Sequence, residues 1–329
     1  MLKQFGFSTL LLISQFSISG TMYAQDKKTH RIKFINQSQP TLKTSGKGAI
    51  IKDYFKVNIT KPPKHLTLDP FYQKYIDAQG IPITASSDVS DVALIVARDI
   101  VIHMLSERPD LRKEMIRNGT RFGVMADTDS TTDLPEQQDW KKPGKDDLRL
   151  TDNERENYDE KIGKLTDQEY WNRRARGMGG LYTTGTEENI LGYPDLSNNG
   201  KKKGRPRTKY FGENIFIHEL AHSVHRAIRG ADPKLARKIE IAYEDAMKNG
   251  LWANSYGTTN VFEYWGEGTQ FWFNSNYDYK NGDSYVLSSA DLMRYDPQLY
   301  KLLIEVYPLD HHIPMDVFYL HEARVRAGK

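Results

Sequence analysis

The sequence predicts an α+β fold in which two motif-bearing helices pack against each other beside a small mixed sheet. Three observations carry that expectation. His218-Glu219-Leu220-Ala221-His222 lies in a stretch where Ile217, Ala221, Val224 and Ile228 recur at spacings of four, three and four, the apolar stripe of a helix. Glu263-Tyr264-Trp265-Gly266-Glu267 places two carboxylates one helical turn apart in an aromatic-rich stretch. Short strand-like runs, Arg121–Ala126 and Leu181–Thr184, come before both.

Composition bounds the rest. At 329 residues the chain is long enough for one large domain or two small ones. Its 38% hydrophobic and 27% charged residues are those of an ordinary globular protein. A formal net charge of +3 is too small to argue for nucleic acid or an anionic membrane. The 19 tyrosines suit a carbohydrate or peptide cleft, but a plain core is the default reading. There is no cysteine, hence no disulfide, no thiolate chemistry and no lipid-modified N-terminal Cys.

The N-terminus reads as a signal peptide. Met1-Leu2-Lys3-Gln4 is a short basic start, Phe7–Gly20 an apolar run too short for a comfortable membrane span, and Ala24 a small residue before the polar Gln25-Asp26-Lys27-Lys28. Cleavage is expected after Ala24, which predicts a secreted or periplasmic protein, and a cysteine-free exported chain fits a bacterial setting. No later segment is apolar enough to span a membrane. Residues 25–85 are read as an N-terminal segment of open status: an inhibitory pro-region, an edge piece of the following domain or a binding module. Within it Ala49-Ile50-Ile51 and Phe55–Ile59 resemble short strands, and Pro62-Pro63 ends that section. The main domain is expected over 86–329.

Within that domain, Val89, Val92, Ala93, Val96, Ile100 and Leu105 predict a buried helix over Asp88–Ser106. Asp110 is expected to cap a second helix closing at Asn118-Gly119. Residues 127–172 are dense in charge and read as a surface excursion with one helix around Asp152–Leu165. Asp127, Asp129 and Asp133 superficially suggest Ca²⁺ ligands, but the Gly and terminal Glu of an EF-hand loop are missing, so a solvated acidic loop is the default. Lys201–Arg207 is a basic, easily nicked loop. The first motif helix is expected from about Glu213 to Arg229, stopping at Gly230. Asp232-Pro233 then opens a further helix carrying Leu235, Ile239, Ala242 and Ala246 inward and ending at Asn249-Gly250.

The chemistry sits on the two motifs. Imidazoles at i and i+4 share one helix face and can reach a single Zn²⁺ at about 2.0–2.1 Å. Glu219, beside them, is placed to take a proton from a metal-bound water. A zinc site needs a third protein ligand, and Glu263 is the best candidate. Two acids one turn apart repel unless a cation answers them, so Glu267 is assigned to the spare ring N–H of a zinc-bound histidine. Gly266 and Gly268 weaken their helix by roughly 1 kcal/mol each, which close approach of the two motif helices would explain. The plain alternatives are an exposed charged face for His218–His222, a solvated acidic face for Glu263 and Glu267, and a core or surface role for His225. Glu187-Glu188-Asn189 reads as a loop or helix cap.

Together the motifs resemble the gluzincin metallopeptidases, and within them the anthrax lethal factor type. That family follows its H-E-x-x-H helix, at similar spacing, with a segment of the form Ser255-Tyr256-Gly257-Thr258-Thr259-Asn260 leading into Glu263 and Glu267. The resemblance covers residues 213–274 and does not extend to 25–180. It implies a zincin-like domain, His218, His222 and Glu263 as zinc ligands, Glu267 as the acid behind a ligand, and Tyr256 as a phenol that donates to the oxyanion. It further implies hydrolysis of a protein or peptide substrate, with Glu219 as general base towards a zinc-activated water. Tyr256 could also be a buried tyrosine. Two departures from the family stand out: Gly266 where Ala is usual, and the extra imidazole of His225. The alternatives are a zinc hydrolase of a non-peptide or cell-wall amide and a zinc-binding module without turnover. Glu219 and Tyr256 together weigh against the module, since neither is needed merely to hold metal.

Overall fold

A computed structural model describes residues 24–25, 32–33, 57–148, 150–193 and 210–326, and the chain divides into two units, 1–47 and 48–329. In the first unit, β1 (Ala24–Gln25) pairs antiparallel with β2 (Ile32–Lys33). The expected signal peptide up to residue 23, the strand expected at Ala49–Ile51 and the basic loop Lys201–Arg207 lie outside the described residues. In the strand expected at Phe55–Ile59, the described part is not extended into a ladder; pairing falls instead at Thr60, which bridges Tyr75.

The second unit begins with a hairpin. β3 (Lys74–Ala78) and β4 (Ile81–Ala85) pair antiparallel through the two-residue turn Gln79-Gly80, with φ of 55° and 95°. Both central residues have positive φ, as a tight turn matched to strand twist demands. Ser90 caps α1 (Asp91–Met104) by accepting from the Val92 N–H at 3.3 Å. The next helix, α2 (Pro109–Arg117), starts with Pro109 after Arg108; Asp110 lies inside it and pairs with Arg108 at 2.7 Å, so it is not the cap. β5 (Arg121–Met125) then runs parallel to β4.

The excursion after β5 is more structured than charge density suggests. Asp129 accepts from the Ala126 N–H at 2.9 Å and Asp133 closes a capping box with Ser130. The helix expected at Asp152–Leu165 is broken into α3 (Asp152–Glu156) and a separate π-type turn, Asp159–Gly163. Asn157 Nδ2 donates to the Asn153 carbonyl at 2.9 Å, and Lys142 Nζ takes the Ile162, Gly163 and Leu165 carbonyls. Side chains therefore compete for the groups a longer helix would use. With α4 (Asp167–Arg174), this region buries a small cluster of its own, Leu150, Ile162 and Tyr170.

β6 (Tyr182–Thr186) runs parallel to β5 and completes a mixed sheet in the order β3-β4-β5-β6. Met178 bridges Thr184 antiparallel on its far side. A single turn, α5 (Glu187–Ile190), follows, and then α6 (Ile215–Ala231) with Asn214 as its N-cap. This helix runs through Gly230 and ends at Asp232, which also caps α7 (Pro233–Lys248). Gly230 is there for packing rather than as a stop: a Cβ on it would lie 2.2 Å from the Glu114 carboxylate on α2. α8 (Val261–Trp272) packs across α6, capped by Asn260, which accepts from the Phe262 and Glu263 N–H groups. The hairpin β7 (Tyr279–Asn281) and β8 (Ser284–Val286), then α9 (Ser289–Tyr295) and α10 (Pro297–Ile304), close the unit.

The fold is thus α+β with a small mixed sheet. Residues 74–85 supply two of the sheet's strands and belong to the same unit as the motif helices. Among the described residues no helix is long and apolar enough to cross a membrane.

Candidate metal centre

The apolar stripe of α6 is fully buried, with Ile217, Ala221, Val224 and Ile228 at 0% exposure. That fixes the rotation of the helix and puts His218 and His222 at the margin of the core. On α8, Tyr264, Trp265, Phe271 and Trp272 are buried, which turns Glu263 towards the same place. His218 Nε2 lies 2.9 Å from Glu263 Oε2, and His222 Nε2 lies 3.4 Å from that same oxygen. One ligand atom from each of His218, His222 and Glu263 falls within 4.8 Å of the others, and among the described residues this is the group that could hold a metal ion.

The two rings are fixed differently. His218 Nδ1 meets Gln270 Oε1 at 2.9 Å, while Glu267 Oε1 is 3.8 Å away. Gln270 is therefore the hydrogen-bond partner of His218 Nδ1, with Glu267 farther off on the same side of the ring. Glu267 instead accepts from Asn276 Nδ2 at 2.9 Å. Gln270 is anchored in turn by donating to the Asn214 carbonyl at 3.0 Å. Gly266 lies against the His218 ring, where a Cβ would come within 2.7 Å of Cε1, so it allows the close approach of α6 and α8. Gly268 does not share that role; its missing Cβ makes room for Leu299 on α10. The sequence held a signal for Gln270: Glu263, Glu267 and Gln270 follow at spacings of four and three, along one face of α8.

The site's electrostatics ask for positive charge. Burial opposes a charge on Glu263, but the hydrogen bonds of His218 and His222 outweigh it and hold its carboxyl down at about 2. Burial likewise opposes a charge on His218, yet Glu263, with Glu219 and Glu267 nearby, lifts its imidazolium to about 10. Burial pushes the Glu219 and Glu267 carboxyls up from the ordinary range.

The donor set fits a divalent zinc-like ion. Two imidazole nitrogens and one carboxylate oxygen converge, and with Gln270 on His218 Nδ1 it is Nε2, on the Glu263 side, that would ligate an ion.

A cleft of about 760 Å³ opens over these groups. Glu219 and Tyr256 both line it. Tyr256 is 51% exposed, its ring centroid 6.4 Å from that of His218, in a short 3₁₀ turn, Tyr256–Thr258. It is not the buried tyrosine of the plain alternative. Gly177 and Gly179 let the chain approach α6 closely: a Cβ on Gly177 would come 3.0 Å from Glu219 Cγ, and one on Gly179 2.5 Å from His222 Cδ2. His225 lies away from the cleft, buried, its ring tilted against Phe262 with centroids 4.7 Å apart, and burial drops its imidazole to about 3. It is a neutral core histidine.

Three groups at the site were missed. Glu213, immediately before the α6 cap, lines the cleft with its carboxyl lifted by burial to about 8. Arg174, at the end of α4, also lines it, although the charged excursion offered no sign of that. Gln270 is the third. The Glu187-Glu188-Asn189 stretch braces the site without lining it: Asn189 Oδ1 accepts from the Ile215 N–H at 2.8 Å, and Glu188 pairs with buried Arg176 at 2.9 Å.

No protein-family model and no curated protein matches the chain. Among solved structures, a Pro-Pro endopeptidase from Paenibacillus alvei is similar to it, with a TM-score of 0.39 and 13% identity, covering 68% of this chain and 97% of that one. A likeness of that size leaves the function to the site's own geometry.

Proposed function

We propose that this chain is an exported zinc-dependent peptidase of the zincin type, with His218, His222 and Glu263 as zinc ligands and Glu219 as general base. One observation carries the reading: three ligand atoms of the right kinds converge beneath a cleft that Glu219 and Tyr256 also line. Export, with cleavage after Ala24, rests on the N-terminal sequence alone.

When bound, Zn²⁺ supplies a Lewis acid that polarises a substrate carbonyl and brings the pKa of a water towards ~7. The side chains do the remaining work. The Glu219 carboxylate takes the proton of the attacking water and returns it to the leaving amine nitrogen. The Tyr256 phenol donates to the substrate's carbonyl oxygen as negative charge develops there. Gln270 and Gly266 hold the His218 ring so that Nε2 faces the cleft.

Elemental analysis of the mature chain tests the ligand set: about one zinc in the wild type, largely lost in Glu263→Ala. Glu219→Gln should keep its zinc and lose roughly 10²–10⁴-fold in turnover of a peptide library. A folded wild type that can be neither isolated with zinc nor reloaded would remove the site. Normal turnover by Glu219→Gln would remove the mechanism.

A further inference from the structure

A turn near the end of the sequence, far from both motifs, brings a guanidinium to the cleft. Arg326 lines it together with His218, Glu219 and Tyr256. Its guanidinium carbon sits over the Tyr277 ring, 3.8 Å from the centroid. The placement is built by several bonds. Asp278 Oδ1 accepts from the Arg326 backbone N–H at 2.6 Å, and the Asp278 N–H donates to the Arg324 carbonyl at 2.8 Å. Arg324 is buried, its Nε donating to the Asn276 carbonyl at 2.8 Å. The Tyr277 hydroxyl donates to the Phe211 carbonyl at 3.0 Å. Gly212 makes room for both partners: a Cβ there would come 2.9 Å from Tyr277 Cε1 and 2.5 Å from the Ala323 carbonyl oxygen. The same segment reaches the metal centre, since Asn276 donates to Glu267 Oε2 at 2.9 Å while Glu267 Oε1 lies 3.8 Å from His218 Nδ1. The platform under Arg326 is thus tied to α8 and to the chain leading into α6.

We propose that Arg326 is a specificity-determining residue that receives a carboxylate of the bound substrate, either an acidic side chain or the peptide's own C-terminal carboxylate. A guanidinium lying on an aromatic ring keeps its N–H donors in its own plane, directed outward, where two of them match the two oxygens of a carboxylate. Among the described residues that fork makes no hydrogen bond or ion pair of its own. The acids nearest it do not take its place. Asp278 meets the Arg326 main chain rather than the guanidinium, and burial pushes the Glu213 carboxyl up to about 8, so it is largely uncharged at neutral pH. The stacked ring also holds the long side chain in place before substrate arrives, which lowers the ordering cost of binding. That the anion is a peptide's carboxylate rests on the peptidase reading; the stacked, outward-facing guanidinium does not.

Internally quenched hexapeptide pools test it, with Glu fixed at each position in turn against matched pools with Gln. Each pool is made with a free and with an amidated C-terminus. The wild type should favour one carboxylate-bearing pool by about 10–100-fold in kcat/KM, the range of a charge-assisted bidentate contact. The difference should lie mainly in KM. Arg326→Gln should bring the ratio close to one, and Arg326→Lys should keep only part of it, since an ammonium has no fork. A preference for Glu that survives amidation assigns the side chain; one that needs the free C-terminus assigns the terminal carboxylate. No preference in the wild type, or an equal preference in Arg326→Gln, overturns the proposal. A second readout needs no turnover: fluorescence anisotropy of the same pools, labelled without quencher, on Glu219→Gln protein with and without Arg326→Gln. Carboxylate-selective binding that Arg326→Gln removes, in a chain whose wild type cleaves no peptide, keeps the proposal and sinks the peptidase reading. Equal affinity for the matched pools, or none for either, sinks the proposal.

Discussion

His218 is held from three sides: Gln270 on Nδ1, Glu263 on Nε2 and the bare backbone of Gly266 along the ring. Replacing Gln270 with Leu leaves a buried ring N–H without its acceptor and frees the ring to turn. Zinc affinity should then fall by about 10–100-fold, as for other residues that orient a ligand from behind. Glu267→Gln, at a carboxylate 3.8 Å from Nδ1, should cost less. Competition with a chromophoric chelator ranks the two, and a larger loss in Glu267→Gln would reverse the assignment. That His218 and His222 share one helix face was legible because a helix repeats every 3.6 residues, which makes i and i+4 neighbours on any helix. Which residue of the Glu263–Glu267–Gln270 face meets His218 was not legible. It depends on how closely and at what angle α8 crosses α6, a property of neither helix alone.

At the scale of elements, the seam between β6 and α6 sets the site's position. Gly185 on β6 lies under Phe216 on α6, where an added Cβ would come 2.7 Å from the Phe216 ring. Ser223 on the same helix bonds Thr183 Oγ1 at 2.5 Å and donates to the Gly180 carbonyl at 2.7 Å. Gly185→Ala should therefore overpack the seam and destabilise the chain by about 1–3 kcal/mol, read as a lower urea midpoint at unchanged slope. An unchanged midpoint would mean that the helix can slide away from the sheet. Element existence was largely readable: α1, α7, β5 and β6 fall close to where periodicity placed them. Element ends were less so. Gly230 reads as a helix stop by propensity, but the helix continues through it because α2 packs there, and tertiary contact overrode a preference of about 1 kcal/mol.

Across the whole second unit, its C-terminal part is fastened to α1 through a buried carboxylate. Asp99 Oδ2 accepts from the Met315 N–H at 3.1 Å, while Oδ1 lies 3.1 Å from His103 Nδ1. Burial pulls the His103 imidazolium down, but Asp99, helped by Asp310, outweighs it and the net shift is upward. A raised histidine stabilises the folded chain fully below its unfolded value of about 6.5, and that contribution fades as pH rises through the higher folded value. The wild type's Tm should accordingly include a downward step on going from about pH 6 to above pH 7, absent in His103→Gln. Equal pH profiles for the two would show that the pair contributes nothing.

Sequence by itself determined the types and spacing of the side chains that could hold a metal ion, and the helices that carry them, because those follow from local periodicity and from the chemistry of each side chain. Only the tertiary structure decided that residues 74–85 join the sheet, that Gln270 rather than Glu267 meets His218, and that Arg174 reaches the cleft. These contacts bring together residues far apart in the chain, and they are settled by how the core closes rather than by any pattern along it.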